Sequence, residues 1–259
     1  MIALVLLCAL LGVIVGSFLN VVIHRVPLGE SIVKPRSRCP GCGTEITPRD
    51  NIPVLSWLLL KGRCRTCHEP ISARYPAVEI LTGVVFAAMA VHFGWDWVLP
   101  AFLYLAAVGV ALAMIDLDVK RLPDALTLPS YVVGLVLLGA ASVANGEPRL
   151  MIRAVLGALA LFAFYFVLLL VYPAGMGFGD VKLAGVLGLY LAYLGWGSLI
   201  VGGFLGFLLG AVVGGGLMLV RRAGRKTMIP FGPFMLAGAF LAIFVGQPLA
   251  DAYVKTLGG

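Results

Sequence analysis

Apolar residues run in long blocks along this chain, each near the roughly 17 to 25 residues a bilayer-spanning helix needs. The blocks predict about eight helices, near 2–23, 77–93, 98–116, 125–144, 151–172, 181–195, 198–220 and 231–250, the second and sixth being short. The one substantial polar departure is the loop from His24 to Tyr75, long enough for a small subdomain. The pattern predicts an all-α polytopic membrane protein in three parts: a first transmembrane helix over 1–23, an insert over 24–76 and a membrane core over 77–259. Met1-Ile2-Ala3-Leu4 has no basic n-region, so the first block reads as a retained helix rather than a removable signal.

Composition agrees, since 61% hydrophobic and 12% charged residues leave too little polar surface for a soluble domain of 259 residues. The formal net charge of +7 invites a nucleic-acid reading, but the charge positions fit membrane insertion better. Arg25, Lys34, Arg36, Arg38, Arg49, Lys61, Arg63, Arg65 and Arg74 lie in the first loop. Lys120 and Arg121 follow the third span, Lys182 begins the sixth, and Arg221, Arg222, Arg225 and Lys226 separate the last two. With eight spans all of these share one side, against Arg149, Arg153 and Lys255 on the other. The positive-inside rule makes the first side cytoplasmic and puts both termini outside. The expected partners are membrane lipids, and no nucleic acid.

The loop carries Cys39-Pro40-Gly41-Cys42 and Cys64-Arg65-Thr66-Cys67, two knuckles whose thiolates can close a tetrahedral zinc site. Their 21-residue spacer slightly exceeds the usual range of roughly 15 to 20. A redox dithiol or a metal-free loop are the alternatives. A small loop with little core needs such a staple, and a reducing cytoplasm favours thiolates over disulfides. His68 reads as a surface residue because four cysteines already complete the shell, and Cys8 as a small buried hydrophobe.

Asp116 ends one apolar block, and Asp180 closes Gly177-Phe178-Gly179-Asp180 before another. A carboxylate at the centre of a membrane helix costs roughly 2.5 to 3.5 kcal/mol on insertion scales, so such groups persist mainly where chemistry or transport uses them. Two nearby carboxyl groups can share a proton and activate water, one as base while the other donates to the scissile carbonyl. Gly177 and Gly179 would let a substrate backbone approach closely and the chain turn abruptly into its helix. Helix-end dipoles favour Asp180 as the initial base and Asp116 as the proton donor. Simpler roles stay open: Asp180 as a helix N-cap, and Asp116 as an interfacial residue paired with Lys120 or Arg121.

Gly16-Ser17-Phe18-Leu19-Asn20-Val21-Val22-Ile23-His24-Arg25, the cysteine tetrad, Asn51-Ile52-Pro53, Arg74-Tyr75-Pro76, Ile115-Asp116, Leu122-Pro123-Asp124, Gly177-Phe178-Gly179-Asp180 and Ile229-Pro230-Phe231-Gly232-Pro233 together resemble the bacterial type IV prepilin peptidases, in order along nearly the whole chain. The resemblance implies an inner-membrane aspartic endopeptidase that cleaves the basic leader from prepilins and type II secretion pseudopilins at the cytoplasmic interface. It makes Asp116 and Asp180 the catalytic pair, residues 77–259 the peptidase core and residues 24–76 a cytoplasmic zinc-binding insert. Asp116 is followed seven positions later by Pro123, as in the family, which leaves Asp118 a lesser candidate and Asp124 the N-cap of the fourth span. The cysteine-containing loop looks like the bifunctional branch, which also transfers methyl from S-adenosylmethionine to the new N-terminal amine. Glu79 is a candidate for substrate or amine recognition, or simply a favourable first-turn carboxylate. A proton-coupled transporter using the same aspartates is the rival class, and a zinc-dependent assembly scaffold the third.

Gly202, Gly206, Gly210 and Gly214 recur every fourth residue and predict a close-packing helix face. Trp57, Trp95, Trp97 and Trp196 are expected as interfacial anchors, His92 as an interfacial residue, and His24 and Arg25 as headgroup-level groups able to position the loop.

Overall fold

The computed structural model describes residues 1–173, 175–219 and 230–256. Arg221, Arg222, Arg225, Lys226 and Ile229 lie outside the described residues. The chain forms α1 (Ile2–Arg25), α2 (Leu55–Leu59), α3 (Arg74–Phe93), α4 (Leu99–Val119), α5 (Asp124–Ala144), α6 (Arg149–Val171), α7 (Phe178–Leu194), α8 (Trp196–Leu219) and α9 (Gly232–Thr256). The only β-pairing among the described residues is two isolated bridges in the α1–α3 loop. Seven of these helices are long and apolar enough to cross a membrane, as expected of a multi-pass protein. The sixth expected span, α7, has 17 residues, which at 1.5 Å per residue is about 26 Å against a hydrocarbon core of about 30 Å. Its apolar character runs all round, and correspondingly it packs against α5, α6, α8 and α9.

The chain divides into two compact units, Met1–Ala111 and Leu112–Gly259. In the first, α1 and α3 approach closely because glycines remove the intervening side chains. A Cβ at Gly12 would lie 2.8 Å from Gly83 Cα, and one at Gly16 2.7 Å from Glu79 Cα. Cys8 is buried on α1, as expected of a small hydrophobe. Arg25 turns back to donate to Ser31 O (2.8 Å) and Pro35 O (2.7 Å), so it holds the loop that follows α1. Asn20 donates to Tyr75 O (3.1 Å) and ties α1 to the start of α3. Trp95, Trp97 and Trp196 are exposed. Trp57 packs within the insert: its indole N–H donates to Ile71 O (3.0 Å), and the left-handed turn at Gly62 rests on its ring. It supplies part of the insert's small core.

In the second unit, Gly206 and Gly238 bring α8 and α9 together, and Gly202 packs on Leu191 and Ala242. The four-residue glycine repeat is thus a packing face. Gly157 and Gly188 allow a similarly close crossing of α6 and α7. Arg153 of α6 caps the end of α7, its Nε donating to Ala192 O and its Nη2 to Tyr193 O, each at 2.6 Å. These carbonyls belong to the last turn, which has no intrahelical donors. Replacing Arg153 by Met leaves both unpaired at about 1 to 3 kcal/mol each, so a stability loss of about 2 to 6 kcal/mol is expected. Denaturation in detergent micelles measures it; an unchanged midpoint would show that the carbonyls had found other partners.

Candidate active site

Asp116 lies in the last turn of α4 and Asp180 is the third residue of α7; both are buried, at 5% and 8% exposure. Asp180 reaches back over the first turn of its helix, accepting the Gly177 N–H on Oδ2 at 3.0 Å while its own N–H donates to Gly177 O at 3.1 Å. Asp180 stands at N3 and supplies half of a capping box, the side chain that reaches back to the amide of the N-cap Gly177. Asp116 accepts the Gly232 N–H, which opens α9, on its Oδ2 at 3.0 Å. It does not pair with Lys120 or Arg121. Each carboxyl group therefore has one oxygen held by a glycine amide, and each Oδ1 has no hydrogen-bond partner among the described residues.

Asp116 faces the positive end of α9 as well as the negative end of α4. Helix ends place both carboxyl groups at an N-terminus and do not separate acid from base. Gly177 has an open position, with nothing nearer to a built Cβ than Asp180 Oδ2 at 3.7 Å, whereas Gly179 is packed, 3.1 Å from Leu122 Cβ. Asp124 is the first residue of α5 rather than its N-cap, which is Pro123, and it forms a salt bridge with Lys182. Lys182 also stands over the Phe178 ring at 5.1 Å, and its carbonyl accepts from Tyr131 Oη at 2.7 Å. These contacts tie the first turn of α7, which carries Asp180, to α5. The carboxylates were legible from sequence; their glycine donors and the Asp124–Lys182 tie were not.

In the insert, the ligand atoms of Cys39, Cys42, Cys64 and Cys67 all lie within 4.8 Å of one another. Zn–S bonds of about 2.3 Å in a tetrahedron put sulfurs about 3.8 Å apart, so the cluster fits one zinc ion. The two knuckles repeat one backbone pattern: Cys39 N–H donates to Thr44 O and Cys64 N–H to Glu69 O, both at 2.9 Å. Gly43 (φ 69°) and His68 (φ 59°) occupy equivalent left-handed positions, so His68 serves the turn and is not a fifth ligand. Thr44 lowers the Cys42 thiol to about 6 through side-chain and backbone hydrogen bonds, favouring its thiolate. Arg65, between Cys64 and Cys67, grips Asp50 with Nε and Nη2, holding that carboxyl below its usual range.

Glu79 is buried in α3 at 7% exposure and accepts the Val54 N–H on Oε2 at 2.6 Å. Val54 has φ 60° and ψ −52°, and Leu55 N–H donates across it to Pro53 O at 2.5 Å, a strained γ-turn. Glu79 therefore latches a strained turn of the insert to a membrane helix.

Residues 10–93 match the family model described as the bacterial peptidase A24 N-terminal domain, and residues 103–215 match that of the type IV leader peptidase family. A protein of Aeromonas hydrophila named prepilin leader peptidase/N-methyltransferase is 41% identical over 272 residues, covering 95% of this chain and 92% of its own length. Proteins of the same name from Stutzerimonas stutzeri and Pseudomonas aeruginosa are each 37% identical, covering 96% and 99% of this chain and 93% and 95% of their own. No solved structure matches the chain.

Proposed function

The chain belongs to the type IV leader peptidase family, and from that premise we propose that it is a bifunctional membrane enzyme. It cleaves the basic leader from prepilins and pseudopilins, then methylates the new N-terminal amine with S-adenosylmethionine as the second substrate. The observation that carries the peptidase reading is the buried pair Asp116 and Asp180, each with one oxygen fixed by a glycine amide. One carboxylate takes a proton from a water between the two Oδ1 atoms while the other, protonated, donates to the scissile carbonyl. The hydroxide adds to the carbonyl carbon, and the tetrahedral intermediate expels the amine as it receives a proton from the first aspartate. Gly177 supplies an approach free of side chains for the substrate backbone, and Gly179 the close packing that seats Asp180. A proton-coupled transporter has no support in the family relationship.

Cys39, Cys42, Cys64 and Cys67 hold structural zinc in an insert over 24–76, between a first helix and a peptidase core over 77–259. The charge distribution supports an inner-membrane location with that insert and the aspartates at the cytoplasmic face. Incubating the purified protein with a prepilin and S-adenosylmethionine tests the proposal: the product should lose its leader and gain one methyl at its new N-terminus. Uptake of a solute without peptide cleavage would sink it.

Glu79 has two functional readings, recognition of the substrate or its amine by charge, and positioning of the insert through Val54, which the 2.6 Å bond favours. Glu79→Gln keeps an acceptor and should retain much of the Val54 amide's protection from hydrogen exchange. Glu79→Leu should weaken that protection by about 1.5 to 3 kcal/mol, the worth of a hydrogen bond to a charged group. Loss of methyl transfer in Glu79→Gln with Val54 protection retained would favour recognition by charge.

A further inference from the structure

The first turn of α9 leaves one amide for Asp116. Pro233 has no N–H, while Phe234 and Met235 donate to Phe231 O at 3.0 and 3.2 Å. Gly232 N–H is thus the free donor among the three N–H groups of residues 232–235, and it is directed at Asp116 Oδ2. The position is also closed to any side chain: a Cβ there would lie 2.8 Å from that oxygen and 3.3 Å from Leu122 Cδ2. Leu122 is itself buried at 8% exposure and reaches Gly179, next to Asp180, so one side chain is wedged between the helix starts that hold the two carboxyl groups.

We propose that Gly232 is a positioning residue of the peptidase site, its amide orienting Asp116 while Leu122 sets the spacing between the starts of α9 and α7. Phe231-Gly232-Pro233 then has a division of labour. Phe231 O takes up the competing amides, Gly232 gives the carboxylate room to approach, and Pro233 removes a rival donor. The inference rests on Asp116 and Asp180 being the reacting pair.

Gly232→Ala forces the carboxylate aside, and displacement of a reacting group by about 1 Å costs about 100-fold. The expected result is kcat for leader removal down about 100-fold with KM within about twofold, because the orientation matters in the transition state and not for docking. Methyl transfer to a precleaved pilin should match wild type, with the melting temperature in detergent lower by no more than a few degrees. Gly139→Ala, a helical glycine with open space around it, is the control and should retain full cleavage. Glycolic acid incorporated at position 232 by nonsense suppression replaces the N–H by oxygen without adding a side chain. A drop in kcat of about tenfold is expected there, matching loss of a hydrogen bond worth about 1.4 kcal/mol. Wild-type kcat in the ester variant overturns the role of the amide, even if Gly232→Ala fails to fold. A larger fall in melting temperature together with equal losses of cleavage and methylation would show a structural role instead. Full cleavage by Asp116→Asn would remove the underlying dyad reading, whereas an inactive Asp116→Asn beside a fully active Gly232 ester would remove only this inference.

Discussion

Asp116→Asn and Asp180→Asn are each expected to lower leader cleavage by more than about 10³-fold, a loss of about 4 kcal/mol or more at 1.36 kcal/mol per tenfold. The substitution is nearly isosteric, and the amide oxygen can still accept from Gly232 or Gly177, so the packing around both sites should survive. What disappears is the ability of the pair to share and move a proton. Methyl transfer to a precleaved pilin needs a donor and an amine rather than activated water, so it should continue in both variants. Mass spectrometry of a prepilin and of a precleaved pilin, each incubated with S-adenosylmethionine, reads the two activities separately. Retained cleavage in either variant would remove that residue from the reaction, and loss of methylation in both folded variants would point to one shared site.

The second large effect is expected at the insert. Structural zinc contributes about 10 to 16 kcal/mol of apparent binding energy in small zinc-finger peptides, far more than a segment with so little core can replace. Cys39→Ser, Cys42→Ser, Cys64→Ser or Cys67→Ser should therefore release the metal and open the insert to proteolysis. Asp116→Asn and Asp180→Asn should leave zinc content at about one ion per chain, as expected for one four-thiolate site. Metal analysis of detergent-purified protein decides. Zinc that survives loss of two cysteines but disappears with either aspartate would indicate a metal-dependent hydrolase.

The helices and the metal cluster were legible in the sequence for different reasons. Apolar blocks of bilayer length have few alternatives, and the ends of α1, α3, α4, α5, α6, α7 and α8 fall within three residues of the expected bounds. Four cysteines in two short knuckles fix their own geometry locally, through turns such as Gly43 N–H to Cys39 O (2.8 Å). Asp116 and Asp180 stood out because buried acid is costly in a membrane helix. What pairs with them did not, since Gly232 meets Asp116 through backbone 116 positions away and leaves no mark in charge or periodicity. Arg153 illustrates the same limit. Sequence alone counts it as one of few charges on the side opposite the insert, whereas its guanidinium ends α7 through two carbonyls. An indole suits both a membrane interface and a small core, and the part Trp57 plays inside the insert shows only in its bond to Ile71 O.

The Glu79 latch also gives this chain an order of biogenesis. Both knuckles, which end at Cys67, are translated before Glu79, and Val54 waits for that partner 25 residues downstream. At about 5 to 20 residues per second, the stretch from Cys67 to Glu79 takes about 0.6 to 2.4 s, a window in which both knuckles are made but unlatched. During that window the γ-turn at Val54 lacks its carboxylate, and only arrival of α3 in the bilayer beside α1 supplies it. Locking of the nascent insert thus reports that the first helical hairpin has been built.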